Sequence, residues 1–109
     1  MIRVYAQRRG NKYRLLVSGH ADATPAGRQL CAAVSALTGA LVAFAEKRED
    51  CSHVRSSLGA GRAFLSCCGA LSEAFELVTD ALAALALQHP ENMQYAPCAV
   101  DDKLPRAML

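Results

Sequence analysis

The change from strand to helix in this chain lies in residues 18–37, which read SGHADATPAGRQLCAAVSAL. Before this stretch apolar and polar residues alternate, and after it the chain is rich in alanine and leucine as far as Lys47. Alternation is typical of a strand, and a run of good helix formers is typical of a helix. The stretch therefore predicts the end of a strand, a loop of small residues, and a helix over residues 30–47. The helical spacing of apolar residues begins near Pro25 or Gly27, and Cys31 is expected at the start of the helix.

The hydrophobic pattern outside this stretch predicts two hairpins, a second helix and a last strand. The predicted strands cover residues 2–7, 13–18, 51–57, 62–67 and 93–100, and the second helix covers residues 71–87. Small and turn-forming residues separate the strands of each pair, and Pro90 follows the second helix. We therefore expect an α+β fold in the order ββαββαβ, a small single domain in which two long helices pack on an antiparallel-rich sheet.

Length and composition indicate one domain. The chain has 109 residues, of which 52% are hydrophobic and 20% are charged, so it is too apolar to be disordered and too short for two cores. We expect one domain over residues 1–100 and a frayed carboxyl-terminal tail over residues 101–109. The longest apolar run, residues 30–45, is shorter than the roughly 20 residues that cross a bilayer, which predicts no membrane contact.

The five cysteines indicate a reducing compartment. Their number is odd and the chain opens without a secretory leader, so free thiols in the cytoplasm explain them better than disulfides do. The sequence has no C-x-x-C pair, and the adjacent Cys67 and Cys68 are expected on opposite faces of a strand. We therefore expect a cytoplasmic protein without a metal site.

The charge of the chain is small but unevenly distributed. The net charge is +2, which is too weak to indicate nucleic-acid binding by bulk electrostatics. Five basic residues precede the first acidic residue, Asp22; they are Arg3, Arg8, Arg9, Lys12 and Arg14. A solvated basic hairpin is the first interpretation of this cluster, and direct contact with RNA stays open without further support.

Two side chains in residues 18–37 are suited to nucleophilic chemistry. A loop of small residues can fold back to bring the imidazole of His20 to the thiol of Cys31. A helix amino terminus favours a thiolate, its free N–H groups can hold an oxyanion, and a histidine can move the proton. Ser35 lies one helical turn beyond Cys31 on the same face, where it contacts substrate or simply packs. From residue types alone, a buried structural cysteine beside a satisfied histidine explains the pair equally well.

The loop between the two side chains has a predicted role of its own. Residues 21–29 are rich in Ala, Thr, Pro and Gly and contain little that would anchor them. We therefore expect this loop to be mobile when the site is empty and to close over a bound peptide.

Read as G-H-A-D, a small loop, Gly, and then C-A-A-V-S-A-L, residues 18–37 resemble the signature of the ribosomal-processing cysteine protease family, Prp or YsxB-like. The layout of hairpin, long helices and late strand fits that family across the chain. The resemblance implies a homodimeric Cys–His endopeptidase without a cofactor. Its substrate would be the amino-terminal extension of the twenty-seventh protein of the large ribosomal subunit. Cys31 would be the nucleophile and His20 its partner, with Ser35, Gly19 and Asp22 at further motif positions.

The chain departs from the family pattern just before Cys31. Family members commonly have an aspartate there, whereas residues 27–30 of this chain read GRQL. The departure implies altered cleavage preference or slower turnover, and Asp22 either replaces the missing carboxylate or shapes the loop. Two alternatives to the protease stay open: a non-catalytic ribosome-assembly binding module of the same fold, and a redox sensor that uses Cys67 and Cys68.

Overall fold

The first hairpin follows the alternation of the sequence. In the computed structural model, which describes residues 1–97, β1 (Ile2–Arg9) pairs antiparallel with β2 (Lys12–Ser18). Gly10 lies in the turn between them with φ +59°, a conformation that glycine adopts at little cost. Alternate residues of both strands are buried on one face, as the pattern predicts, and Leu16 is buried on the opposite face as well.

The remaining elements are two helices and the three further strands of the same sheet. They are α1 (Pro25–Lys47), β3 (Cys51–Gly59), β4 (Arg62–Gly69), α2 (Ser72–Gln88) and β5 (Met93–Pro97). The sheet order is β3-β4-β2-β1-β5; β5 runs parallel to β1, and the other neighbours are antiparallel. The predicted α+β fold and its order ββαββαβ are confirmed.

Both helices cover the same face of the sheet. α1 lies over β3 and β4, α2 lies beside β5, and the two helices touch each other. Their buried side chains join those of the inner sheet face in one core, where the rings of Tyr13 and Phe75 lie 5.2 Å apart. Neither of the two helices in residues 1–97 lies on the other face of the sheet, which is called the outer face here.

α1 is the core helix of this fold. It has 23 residues and a mean hydropathy of 1.5 over its most apolar window, so length and composition alone would let it cross a membrane. Its stripe of Leu30, Val34, Leu41 and Ala45 is instead buried against the sheet and α2. The expectation of no membrane contact stays a prediction.

The start of α1 corrects two sequence predictions. The helix begins at Pro25 because Thr24 caps it: the Thr24 hydroxyl accepts a hydrogen bond from the Gly27 N–H at 3.0 Å, and proline suits the first helical position. Cys31 therefore does not open the helix but is its seventh residue. The predicted loop of residues 21–29 is helical from Pro25 onward, so it is neither long nor unanchored.

At the carboxyl end, the described part of β5 stops at Pro97. The last three residues of the predicted strand, 98–100, and the predicted frayed tail, 101–109, lie outside the described residues.

Candidate active site

A cleft of about 220 Å³ lies where three parts of the chain meet. The loop after β2 supplies Gly19 and His20, α1 supplies Cys31 and Ser35, and the tip of the β3–β4 hairpin supplies residues 59–62. Four of the five residues singled out from the sequence therefore share one cleft. The fifth, Asp22, does not line it.

Cys31 faces the cleft from inside α1 and is partly buried. As the seventh residue it lies about 9 Å from the helix start, and the N–H of a residue at that depth bonds to the carbonyl four residues earlier. The expectation that first-turn N–H groups serve Cys31 is therefore wrong. The loop supplies a donor instead: the Ala21 N–H points at Cys31 Sγ over 3.4 Å, and such a donor stabilises negative charge on sulfur.

His20 is exposed but held in place from two sides. The Gly19 N–H donates to the Gly61 carbonyl at 2.8 Å, and the amino group of Met1 donates to the His20 carbonyl at 2.6 Å. Gly61 also packs against the imidazole, because a Cβ on Gly61 would lie only 2.3 Å from His20 Nε2. Sequence reasoning assigned Gly61 to a turn and missed this contact, which joins residues far apart in the chain.

Asp22 shapes the loop. Its carboxylate accepts hydrogen bonds from the Thr24 N–H and hydroxyl and from the Asn92 amide, and its own N–H donates to Asn92 Oδ1 at 3.0 Å. The Thr24 hydroxyl, followed by the Asn92 amide, lowers the pKa of Asp22. The loop lies so close to the helix that a Cβ on Gly27 would meet Asp22 Oδ1 at 2.3 Å. Of the two roles left open for Asp22, these contacts favour the structural one.

Apart from Cys31 itself, His20 and Arg62 are the residues with ionisable side chains among those that line the cleft. Ser35 is exposed one turn beyond Cys31, and its carbonyl accepts a hydrogen bond from the Thr38 hydroxyl at 3.2 Å. Within the part of the chain that the structure describes, no carboxylate lines the cleft. No acidic residue in that lining therefore replaces the aspartate that family members commonly have before Cys31.

The neighbouring thiols Cys67 and Cys68 differ in environment. Cys67 is buried on the inner face of β4, and Cys68 is partly exposed on the outer face. Burial, with a smaller effect of Cys51 and Cys68, raises the pKa of Cys67 to about 11. A thiol of this kind is almost fully protonated at neutral pH, which disfavours the redox-sensor alternative for Cys67. Among residues 1–97, no three His, Cys, Asp or Glu side chains are grouped as metal ligands would be.

Comparison with known proteins finds similarity in structure rather than in sequence. No protein-family model matches the chain, and no curated protein matches it. The crystal structure of SMU.848 from Streptococcus mutans is similar at a TM-score of 0.67, with 24% identity over 89% of this chain and 96% of that one.

Two crystal structures of the essential ribosomal processing protease Prp from S. aureus are also similar. One holds a covalently linked product peptide (TM-score 0.63, 18% identity) and the other a substrate peptide (TM-score 0.62, 15% identity). In both, the match covers 90% of this chain and all of the other chain. At these identities the likeness is one of fold, and the chain therefore has the Prp-like fold that the resemblance of residues 18–37 predicts.

Proposed function

We propose that this chain is a cysteine endopeptidase in which Cys31 is the nucleophile and His20 its acid and base. The observation that carries the proposal is the cleft itself, which His20 and Cys31 both line while a backbone N–H reaches the sulfur. The fold gives independent support, because a protease with this fold has been crystallised with a substrate peptide and with a covalently linked product peptide.

Acylation begins when the Cys31 thiol gives its proton to the His20 imidazole. The thiolate attacks the carbonyl carbon of the scissile peptide, and a C–S bond forms as the carbonyl π electrons move to oxygen. When the oxyanion re-forms the carbonyl, the C–N bond breaks and the imidazolium gives its proton to the departing amine. The amino-terminal fragment is then held on Cys31 as a thioester.

Deacylation uses water as the second nucleophile. His20 accepts a proton from the water as its oxygen attacks the thioester carbonyl, and the C–S bond breaks. The sulfur regains the proton from the imidazolium, which frees a carboxylic acid and restores the thiol.

The Ala21 N–H is the donor best placed to stabilise the oxyanion. It lies 3.4 Å from Cys31 Sγ, and the oxyanion develops one carbon atom away from that sulfur. In this proposal the N–H group holds the thiolate before attack and the oxyanion after it. It replaces the helix amino terminus, which is too far from Cys31.

We propose as substrate a ribosomal protein precursor, specifically the amino-terminal extension of the twenty-seventh protein of the large subunit. The sequence resemblance of residues 18–37 supports this choice, as does the description of the S. aureus protein as a ribosomal processing protease. The small residues 59–61 along one wall leave room for the main chain of a peptide.

The test is incubation of the protein with an extended precursor, followed by intact-mass measurement. Loss of one amino-terminal peptide is expected, and Cys31→Ala should slow it by at least about 10³-fold because the nucleophile is gone. Cys68→Ala, on the outer face of β4, is the matched control and should cleave normally. Iodoacetamide should modify Cys31 well before the buried Cys67. Cleavage at the wild-type rate by Cys31→Ala would contradict the proposal.

Arg28 favours a second candidate, a non-catalytic ribosome-assembly binding module of the same fold. It lies exposed on α1 in the segment where the resemblance predicts an aspartate. A binding module would hold the precursor peptide without shortening it, and Cys31 would then react no faster than the other accessible thiols.

A further inference from the structure

The charges of this molecule are sorted by secondary structure. Seven of its 12 lysines and arginines lie in the five strands, whereas none of its ten acidic residues lies in a strand that the structure describes. The acidic residues described belong to the helices and the connecting loops. The sheet is therefore strongly cationic although the net charge of the chain is only +2.

The strand pairing places most of this positive charge on the outer face. Directly paired residues of neighbouring strands point to the same side of a sheet. By that rule the outer face carries Arg3, Arg9, Lys12, Arg14 and Arg55, while Arg62, the first residue of β4, lines the cleft. The seventh basic strand residue, Arg8, points toward the helices, where it pairs with Glu76 at 3.3 Å.

A row of apolar side chains crosses the middle of this cationic face. Tyr5 pairs with Leu16, and Leu16 pairs with Phe64. Leu16 has 0% of its surface exposed although it lies on the face away from α1 and α2, while Tyr5 and Phe64 are half-buried. The two aromatic rings thus flank Leu16 on strands about 10 Å apart, each with a surface open to solvent.

We propose that the outer face binds single-stranded nucleic acid. Bases stack on exposed aromatic rings irrespective of sequence, and arginine and lysine side chains around the rings neutralise the phosphates. The arrangement of Tyr5 and Phe64 between Arg3, Arg14 and Arg55 provides both kinds of contact on one surface. This surface lies across the sheet from α1, and the inference does not depend on peptidase activity.

The composition of the face disfavours other occupants. A second copy of the same face would bring five cationic side chains against five others, which repel. A lipid surface is bound through protruding apolar side chains, whereas Leu16 is fully covered here. A polyanion with flat aromatic groups is complementary to both the charge and the rings.

The experiment measures the fluorescence anisotropy of labelled oligouridine and oligothymidine of about 12 nucleotides, titrated with the full chain at low salt and at rising KCl. Phe64→Leu keeps an apolar cover over Leu16 but removes a stacking surface, and it should weaken binding about tenfold. Tyr5→Leu is a second variant with the same expectation. Replacing Arg14 and Arg55 by Gln should lower the salt dependence by about 0.7 in log–log slope for each lost phosphate contact.

Two controls separate this inference from the proposed function. Lys47→Gln removes an exposed charge from the last turn of α1 and should bind as the wild type does. Cys31→Ala should also bind normally, because the cleft lies on the helix side of the sheet. Circular dichroism establishes that each variant is folded.

Four results would overturn the inference. They are no binding at low salt, wild-type affinity in both Phe64→Leu and Tyr5→Leu, equal affinity for a duplex or for polyphosphate of the same charge, and binding of anionic vesicles in preference to the oligonucleotides. Binding of either single strand with loss in both aromatic variants supports it.

Discussion

At the scale of single residues, Gly61 determines where the histidine of the cleft sits. Its φ of +72° costs a residue with a side chain about 1–2 kcal/mol, and its missing Cβ leaves room for the His20 ring. We predict that Gly61→Ala lowers kcat/KM for precursor cleavage far more than its loss of stability explains, because the new methyl group displaces the imidazole. The measurement is cleavage rate together with urea unfolding.

Gly10→Ala is the matched control for this prediction. Gly10 has a similar φ of +59°, but no atom lies within 4 Å of the position of its Cβ. The control should lose comparable stability and keep its cleavage rate. Equal loss of activity in the two variants would mean that backbone strain, not the ring contact, is responsible.

Asp22 makes the stability of the loop depend on pH. The Thr24 hydroxyl and the Asn92 amide lower the pKa of this carboxyl group in the folded state. The ionised form therefore stabilises the fold at pH values above the ordinary pKa of 3.8, and this contribution is lost as the pH falls through the lowered value. We predict that Asp22→Asn reduces the acid sensitivity of thermal unfolding, measured from neutral pH to about pH 2. Asp80→Asn, on the exposed side of α2, is the control, and identical pH profiles for the two variants would refute the prediction.

At the scale of elements, the cap of α1 sets the position of Cys31 along the helix. The Thr24 hydroxyl accepts the Gly27 N–H and donates to Asp22, so it joins the helix to the loop. We predict that Thr24→Ala costs about 1 kcal/mol of unfolding free energy and that Thr24→Ser costs much less, since serine keeps the hydroxyl. Hydrogen exchange should report faster opening of residues 26–28 in Thr24→Ala only. Equal stability of the alanine and serine variants would argue against the cap.

Periodicity in the sequence predicts the elements well because burial on one face imposes it directly. It predicts the start of α1 less well, since Pro25, Ala26 and Gly27 have the composition of a loop and only the preceding threonine indicates a cap. The spacing and composition of residues 18–37 could predict that His20 and Cys31 lie in the same part of the molecule, and both line one cleft. The contacts of Gly61 and Asn92 could not be predicted, because they connect residues distant in sequence and depend on how the sheet brings the loops together.

At the scale of the whole molecule, the large apolar side chains with the greatest exposed fraction in the described part of the chain lie on α2. Leu77 is 73% exposed and Leu87 is 83% exposed, compared with 42% for Phe44 on α1 and 56% for Leu58 on β3. The sequence resemblance and these leucines together predict a homodimer that buries them. Sedimentation equilibrium should give twice the mass of the chain, and replacing both leucines by glutamate should give the monomer. A monomer at every wild-type concentration would contradict the prediction.

The separation of charge described above also gives the molecule a large electric dipole moment. The strands carry seven basic residues, and the described carboxylates lie in the helices and loops, so an external field turns the molecule, which a net charge of +2 alone would not do. A cation-exchange resin therefore meets the protein in one preferred orientation and retains it longer than an evenly charged protein of the same net charge.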